Sequence, residues 1–146
     1  MFKKILVGVD GSDESLKAVR EAAQLAKLTE GQTTLVYVMT PIYPTIGIPG
    51  IGVATIDSSV LEEQSWRIGQ DILDQAERVY TEEGAPAPER MALQGRPGNA
   101  IVRYAAEINT EVIVVGSAGS GIEDLILGST ADAVIHHAPC PVLVVR

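Results

Sequence analysis

The chain is poor in cysteine and in basic charge, and each shortage excludes a class of protein. Cys140 is the single cysteine, so no internal disulfide can form, and the sequence suits a reducing compartment. Eleven Lys and Arg against 19 Asp and Glu give a net charge of −8. Binding to nucleic acid or to an anionic membrane needs a basic face. We therefore predict neither a nucleic-acid partner nor a membrane partner.

The chain also lacks a long uninterrupted apolar run. The first run, residues 5–9, stops at Asp10 and is too short for the apolar region of a signal peptide. Residues 39–56 carry no charge, but their three prolines and three glycines exclude a membrane helix. We therefore expect a cytoplasmic protein.

What the chain does have is a regular alternation of apolar runs and helical stretches. Strands are predicted at residues 5–9, 33–38, 112–115 and 142–145, where β-branched residues cluster. A weaker strand is predicted at residues 90–93, at the edge of the sheet. Helices are predicted to begin near Ser12, Ser59, Pro97 and Ser129, which are residue types that favour helix starts. This order predicts one α/β domain over residues 1–146, a doubly wound parallel sheet with helices on both faces.

Glycines after the fourth predicted strand mark a candidate phosphate site. Gly116-Ser117-Ala118-Gly119 follows that strand, and Gly128-Ser129-Thr130 precedes the last helix. Backbone N–H groups in a glycine-rich turn and at a helix N-terminus can hold a phosphate without a charged side chain. In such sheets ligands bind beyond the carboxyl ends of the strands, where the strand order reverses. If the first and fourth strands are neighbours there, residues 9–11 line the same crevice.

Each of these residues also has an ordinary structural explanation. Gly116 and Gly119 fit a tight turn without a ligand. Asp10 fits a cap on the turn after the first strand. Ser129 and Thr130 are natural helix N-cap residues, and a helix cap has the same geometry as a phosphate site.

Three separated signatures resemble the universal stress protein family. They are Ile-Leu-Val-Gly-Val-Asp-Gly-Ser at 5–12, Gly95-Arg96-Pro97, and an ending with Gly128-Ser129 and then Pro-Val-Leu-Val-Val at 141–145. The resemblance spans essentially the whole chain and implies a five-stranded sheet in the order 3-2-1-4-5 and dimers formed through the last strand. Members that bind ATP carry Gly-x-x-Gly, nine residues, and then Gly-Ser or Gly-Thr. Here eight positions separate Gly119 from Gly128, and we place the missing residue in the loop, where Gly121 lets a shorter turn close.

The resemblance implies an ATP site, and the family's nucleotide contacts are assigned to the matching positions of this sequence. Val38 matches the family position whose backbone meets adenine, although its side chain is equally explained as core. No Lys or Arg occurs from residue 104 to residue 145, so backbone N–H groups and hydroxyls would hold the phosphates and Mg²⁺ would offset their charge. Asp10 is the expected neighbour of that metal. The complete set of predicted nucleotide contacts is Val9, Asp10, Gly11, Val38, Gly116, Ser117, Gly119, Gly128, Ser129 and Thr130.

The expected function is a dimeric stress-response module that binds ATP and is read by an unidentified protein partner. Two alternatives stay open, a slow ATPase and an ATP-independent dimer that acts through protein contacts. Against an enzyme, Asp10 is the one carboxylate well placed at a strand end, and the sequence has no Walker lysine. The uncharged loop 39–56 is either a lid on the adenine side or an interface.

Overall fold

The computed structural model describes residues 1–41, 45–55, 59–117 and 127–146. The strands in this part of the chain are β1 (Lys4–Gly8), β2 (Gln32–Met39), β3 (Thr45–Ile48), β4 (Gly52–Thr55), β5 (Glu89–Gln94), β6 (Val112–Gly116) and β7 (Val142–Val145). The helices are α1 (Asp13–Thr29), α2 (Ser59–Glu82), α3 (Pro97–Glu107) and α4 (Ser129–His137). No helix among these residues is long and apolar enough to span a membrane.

Five strands form one parallel sheet in the order β5-β2-β1-β6-β7. Apart from β3 and β4, this is the order 3-2-1-4-5, and the predicted fold class is confirmed. β1 lies at the centre and pairs with β2 on one side and with β6 on the other. The strand order reverses between β1 and β6, so their carboxyl ends meet where such folds bind ligands.

Alternating side chains of the sheet divide the core between its two faces. Ile5, Val7 and Val9 pack with α1 and α2, whereas Leu6 packs with α3 and α4 on the other face. This is the period of two that places successive strand residues on opposite sides. The predicted helices therefore cover both faces.

The sequence predicts the wrong inner face for the first half of α2. From the helical spacing of apolar residues, the sequence predicts that the inner face carries Leu61, Ile68, Ile72, Ala76 and Val79. In the structure Leu61 and Ile68 are exposed. Instead, Gly69 lies against the ring of Tyr37, so close that a Cβ at this position would collide with it. That close approach turns an adjacent face of the helix to the sheet. The buried residues of α2 are Gly69, Leu73, Ala76 and Tyr80.

The segment that the sequence predicts to be a loop, residues 39–56, contains a β-hairpin. β3 and β4 pair antiparallel as a separate two-stranded sheet, with Thr45 opposite Thr55 and Ile48 opposite Gly52. Prolines and glycines favour a loop in sequence-based reasoning. Here Pro49 and Gly50 lie in the turn, and Gly50 and Gly52 take the positive φ angles that this turn requires.

Candidate functional site

A cleft of about 290 Å³ lies at the carboxyl ends of β1, β2 and β6, beside the first residues of α3 and α4. Its walls join apolar strand residues to hydroxyl and backbone groups from the turns that follow the strands. The lining residues are Gly8, Val9, Asp10, Ser12, Ser15, Val36, Val38, Pro97, Ile101, Val115, Gly116, Gly128, Ser129, Thr130 and Ala131.

Most of the predicted contacts lie together in this cleft. Seven of them line it: Val9, Asp10, Val38, Gly116, Gly128, Ser129 and Thr130.

Three predicted contacts are placed differently. Gly11 is exposed at a positive φ and lies against Ile72 on the α2 side, outside the lining. Ser117 joins two elements, since its N–H donates to the Val145 carbonyl at 2.8 Å and its own carbonyl accepts from Gly128 at 2.7 Å. Gly119 lies outside the residues that the structure describes.

Sequence reasoning missed several lining residues, and the pattern held a signal for some of them. Val36 precedes Val38 by two positions, so both side chains point to the same face of β2. Both belong to the core cluster on the side of α3 and α4, together with Ile101. Ser15 follows Ser12 at the spacing of a helix-start hydrogen bond.

Asp10 organises the start of α1 and lines the cleft at the same time. Its Oδ1 accepts from the Ser12 N–H at 2.9 Å and from the Ser12 hydroxyl. The Ser12 Oγ in turn accepts from the Ser15 N–H at 3.2 Å and caps the helix. Within the described residues, the other carboxylate oxygen of Asp10 has no hydrogen-bond partner. Its proposed structural role as a turn cap and its place in the cleft are therefore compatible.

The N-terminus of α4 faces the cleft without a side-chain cap. Gly128 is the N-cap residue, and no side chain among the described residues caps this helix. The amide of Asp132 is the first to bond within the helix, to the Gly128 carbonyl, and the Ser129 and Thr130 hydroxyls lie beside the cleft. Uncapped amides and the positive end of the helix dipole together favour an anion here.

Gly116 has a packing explanation that is independent of any ligand. A Cβ at this position would lie 2.8 Å from the carbonyl carbon and oxygen of Glu14. Only glycine lets the end of β6 approach the first turn of α1 so closely. The residue lines the cleft as a consequence of this contact.

The described lining contains one charged side chain, Asp10, and no Lys or Arg. No group of three or more His, Cys, Asp and Glu in the described part of the chain could hold a metal ion. His136 and His137 are both exposed, and the Nδ1 of His136 lies 2.8 Å from the Asp132 carbonyl. A cation in the cleft would therefore need oxygen atoms from a bound ligand.

Comparison with known proteins now identifies the family. The model for the universal stress protein family matches residues 1–146. A universal stress protein of Methanocaldococcus jannaschii is 37% identical over 100% of this chain and 83% of its own length. The chain belongs to the universal stress protein family.

Solved structures of universal stress proteins share the fold. The protein UspA from Lactobacillus plantarum is 28% identical with a TM-score of 0.81, over 99% of this chain and 98% of that one. A universal stress protein in complex with cAMP is 28% identical with a TM-score of 0.73, over 97% and 95% of the two chains. The Archaeoglobus fulgidus protein in complex with dAMP is 28% identical with a TM-score of 0.68 and covers both chains fully.

Proposed function

We propose that the chain is a stress-response module that binds ATP with Mg²⁺ in the cleft between the ends of β1 and β6. The observation that carries the proposal is the meeting of an apolar wall with the uncapped N-terminus of α4 in one cleft. The family membership and the relatives solved with cAMP and dAMP support an adenine nucleotide as the ligand.

The apolar wall suits the base and the sugar. Val36, Val38, Ile101 and Val115 form an aliphatic part of the lining, against which an adenine ring could pack. The cleft volume, about 290 Å³, lies just below the range of about 300–1,000 Å³ typical of small-molecule sites. Adenosine would occupy this wall, and the phosphates would extend towards α4.

The phosphate side suits an anion that brings its own cation. Amides at the start of α4 and the hydroxyls of Ser129 and Thr130 can donate to phosphate oxygens. Mg²⁺ would supply the positive charge that the described lining lacks, and Asp10 is the residue that would hold it. The Asp10 carboxylate is exposed, and one of its oxygens has no partner among the described residues, which fits this role.

The same cleft argues against a fast ATPase. Enzymes that transfer phosphoryl groups place Lys or Arg around the developing charge, and no such side chain is in the described lining. An ATP-independent interaction protein remains the second candidate. The two candidates and the slow ATPase can be separated in one set of measurements.

The test is a melting experiment with ATP, with and without Mg²⁺. A ligand at about 100 times its Kd adds roughly 2.7 kcal/mol, which raises the melting temperature of a domain of this size by a few degrees. Ser129→Asp should abolish the shift, because it puts a negative charge beside the phosphates at a position where acidic residues favour the helix. Gln64→Glu, an exposed change of equal charge on α2, is the matched control.

Three results would decide against this function. No thermal shift and no binding heat with millimolar ATP would support the ATP-independent alternative. An equal shift in Ser129→Asp and in the wild type would place the nucleotide elsewhere. Phosphate release at several per second, lost in Asp10→Ala, would make the protein an enzyme, because we expect a rate well below about one per second.

We also propose a homodimer formed through β7. The strand pairs with β6 on one side, and within the described residues its other edge is unpaired. Its sequence, Val-Leu-Val-Val, carries no charge that would discourage pairing with another chain.

A further inference from the structure

The β3–β4 hairpin exposes apolar side chains on both of its faces. Ile48 is 41% exposed and Val53 is 75% exposed. Because Ile48 pairs with Gly52, the neighbour of Val53, these two side chains point to opposite faces. Ile51, in the turn, is 80% exposed.

The hairpin packs little against the other helices and strands that the structure describes. β3 and β4 contact each other, and neither packs extensively against another described helix or strand. A two-stranded hairpin alone is at best marginally stable in water. Each strand also keeps one edge whose N–H and C=O groups pair with no other described strand, and residues 39–56 contain no charged residue that would protect these edges. A partner that covers the hairpin would therefore have to offer a strand edge as well as apolar side chains.

A second copy of this chain meets those requirements. The unpaired N–H and C=O groups of a strand edge pair well with those of another strand edge. The same hairpin in a second copy offers such an edge and also exposes apolar side chains. Every copy carries a net charge of −8, so two copies repel each other least through a segment without charge. The exposed Val60 in the first turn of α2 adds apolar surface shortly after the hairpin.

We propose that the β3–β4 hairpin pairs with the same hairpin of a second copy about a two-fold axis. Such an isologous contact joins one edge of each hairpin to the same edge of its copy and is satisfied by two copies, so it does not extend into a fibre. The contact is separate from the β7 edge and independent of nucleotide binding. Together, the hairpin and β7 contacts would make a tetramer the smallest closed assembly.

The test is the mass in solution of two hairpin variants and their controls, by sedimentation velocity. Val53→Glu places a charge in the contact and should halve the mass of the wild type. Leu28→Glu is the matched control, since Leu28 is 84% exposed at the last turn of α1 and should leave the mass unchanged. In the background of Leu143→Lys, a change in β7, Val53→Glu should give a monomer.

Cross-linking gives a second measurement that does not depend on how the Glu variant folds. With Cys140→Ser removing the single native thiol, Ile51→Cys should give a covalent dimer with a bifunctional thiol cross-linker long enough to span the two antiparallel hairpins, and Leu28→Cys should not. Unchanged mass in Val53→Glu, in both backgrounds, would overturn the proposal. So would a changed nucleotide affinity without a changed mass, because the hairpin would then be a lid. Equal cross-linking of Ile51→Cys and Leu28→Cys would overturn it as well.

Discussion

At the scale of single residues, Gly116 and Asp10 show why a site cannot be tested at every residue that lines it. Gly116 is required by the close approach of Glu14, whatever the cleft holds. Asp10 holds Ser12 at the start of α1. Substitution of either residue would disturb packing or a helix cap together with binding. Ser129 is exposed, and in the described structure it has neither a packing role like that of Gly116 nor a capping role like that of Asp10. A substitution at Ser129 therefore tests binding more directly.

Sequence reasoning identified Asp10 and Ser129 because strand ends and helix starts leave a local pattern. It could not find Pro97 or Ile101 as lining residues, because only the packing of α3 beside the sheet brings them to the cleft. Gly11 follows the family pattern but turns towards Ile72, and its predicted role in binding stays a prediction.

The buried residues Tyr80 and Thr33 make a polar contact inside the core. The Tyr80 hydroxyl donates to the Thr33 Oγ1 at 2.8 Å, and both residues are buried. Burial raises the pKa of Tyr80 above its ordinary value of 10.0, and the hydrogen bond to Thr33 lowers it in part. The neutral hydroxyl therefore persists in the fold over the physiological range.

We predict that this hydrogen bond couples the two residues energetically. Tyr80→Phe leaves the Thr33 hydroxyl buried without a partner, and Thr33→Val does the same to Tyr80, so each should cost about 1–3 kcal/mol of unfolding free energy. The double variant should lose less than the sum of the two. Urea titrations of the four proteins would measure this, and strictly additive losses would contradict it.

At the scale of elements, the strands and helices with a local sequence pattern were predicted correctly. The last strand was predicted at residues 142–145, which matches β7, and Pro97 begins α3 as expected. The predicted inner face of α2 was wrong because the contact of Gly69 with Tyr37 is a tertiary contact, which leaves no periodic signal in the sequence. The hairpin was missed because its turn chemistry suggests a loop when read alone.

The helices α3 and α4 approach each other closely at Gly98. A Cβ on Gly98 would collide with the Cβ of Ala133 and come within 3.4 Å of the Thr130 carbonyl. Thr130 lines the cleft at the start of α4, next to Pro97 at the start of α3. The spacing of the two helix N-termini therefore depends on this contact.

We predict that Gly98→Ala destabilises the protein although alanine is the better helix former. Overpacking of a close contact costs about 1–3 kcal/mol, more than the gain of roughly 0.5–1 kcal/mol from helix propensity. The change should also weaken nucleotide binding by moving α4. Asn99→Ala, exposed on the same turn, is the control for thermal melting. A melting temperature of Gly98→Ala at or above the wild type would contradict the prediction.

At the scale of the whole molecule, the edge of β7 that is unpaired within the described residues is one place where we expect two copies to meet. An edge strand exposes a row of unpaired N–H and C=O groups, and self-pairing about a two-fold axis makes two such strands antiparallel and closes the pair. In the sequence alone Val144 is the obvious position to disrupt. The structure shows that Val144 packs on the core beneath α3 and α4, so a charge there would also damage the monomer.

Leu143 is the better position for the test of this dimer. It lies near the middle of β7 and is 41% exposed, so Leu143→Lys would place two like charges in the seam at little expense to the fold of each chain. We predict a loss of the β7 contact, seen as a lower mass in sedimentation at tens of micromolar, while the melting curve keeps its cooperativity. Leu28→Lys, at a residue still more exposed, should leave the mass unchanged. If wild type and Leu143→Lys sediment alike, with and without ATP, β7 is not an interface and another part of the surface must cover this edge.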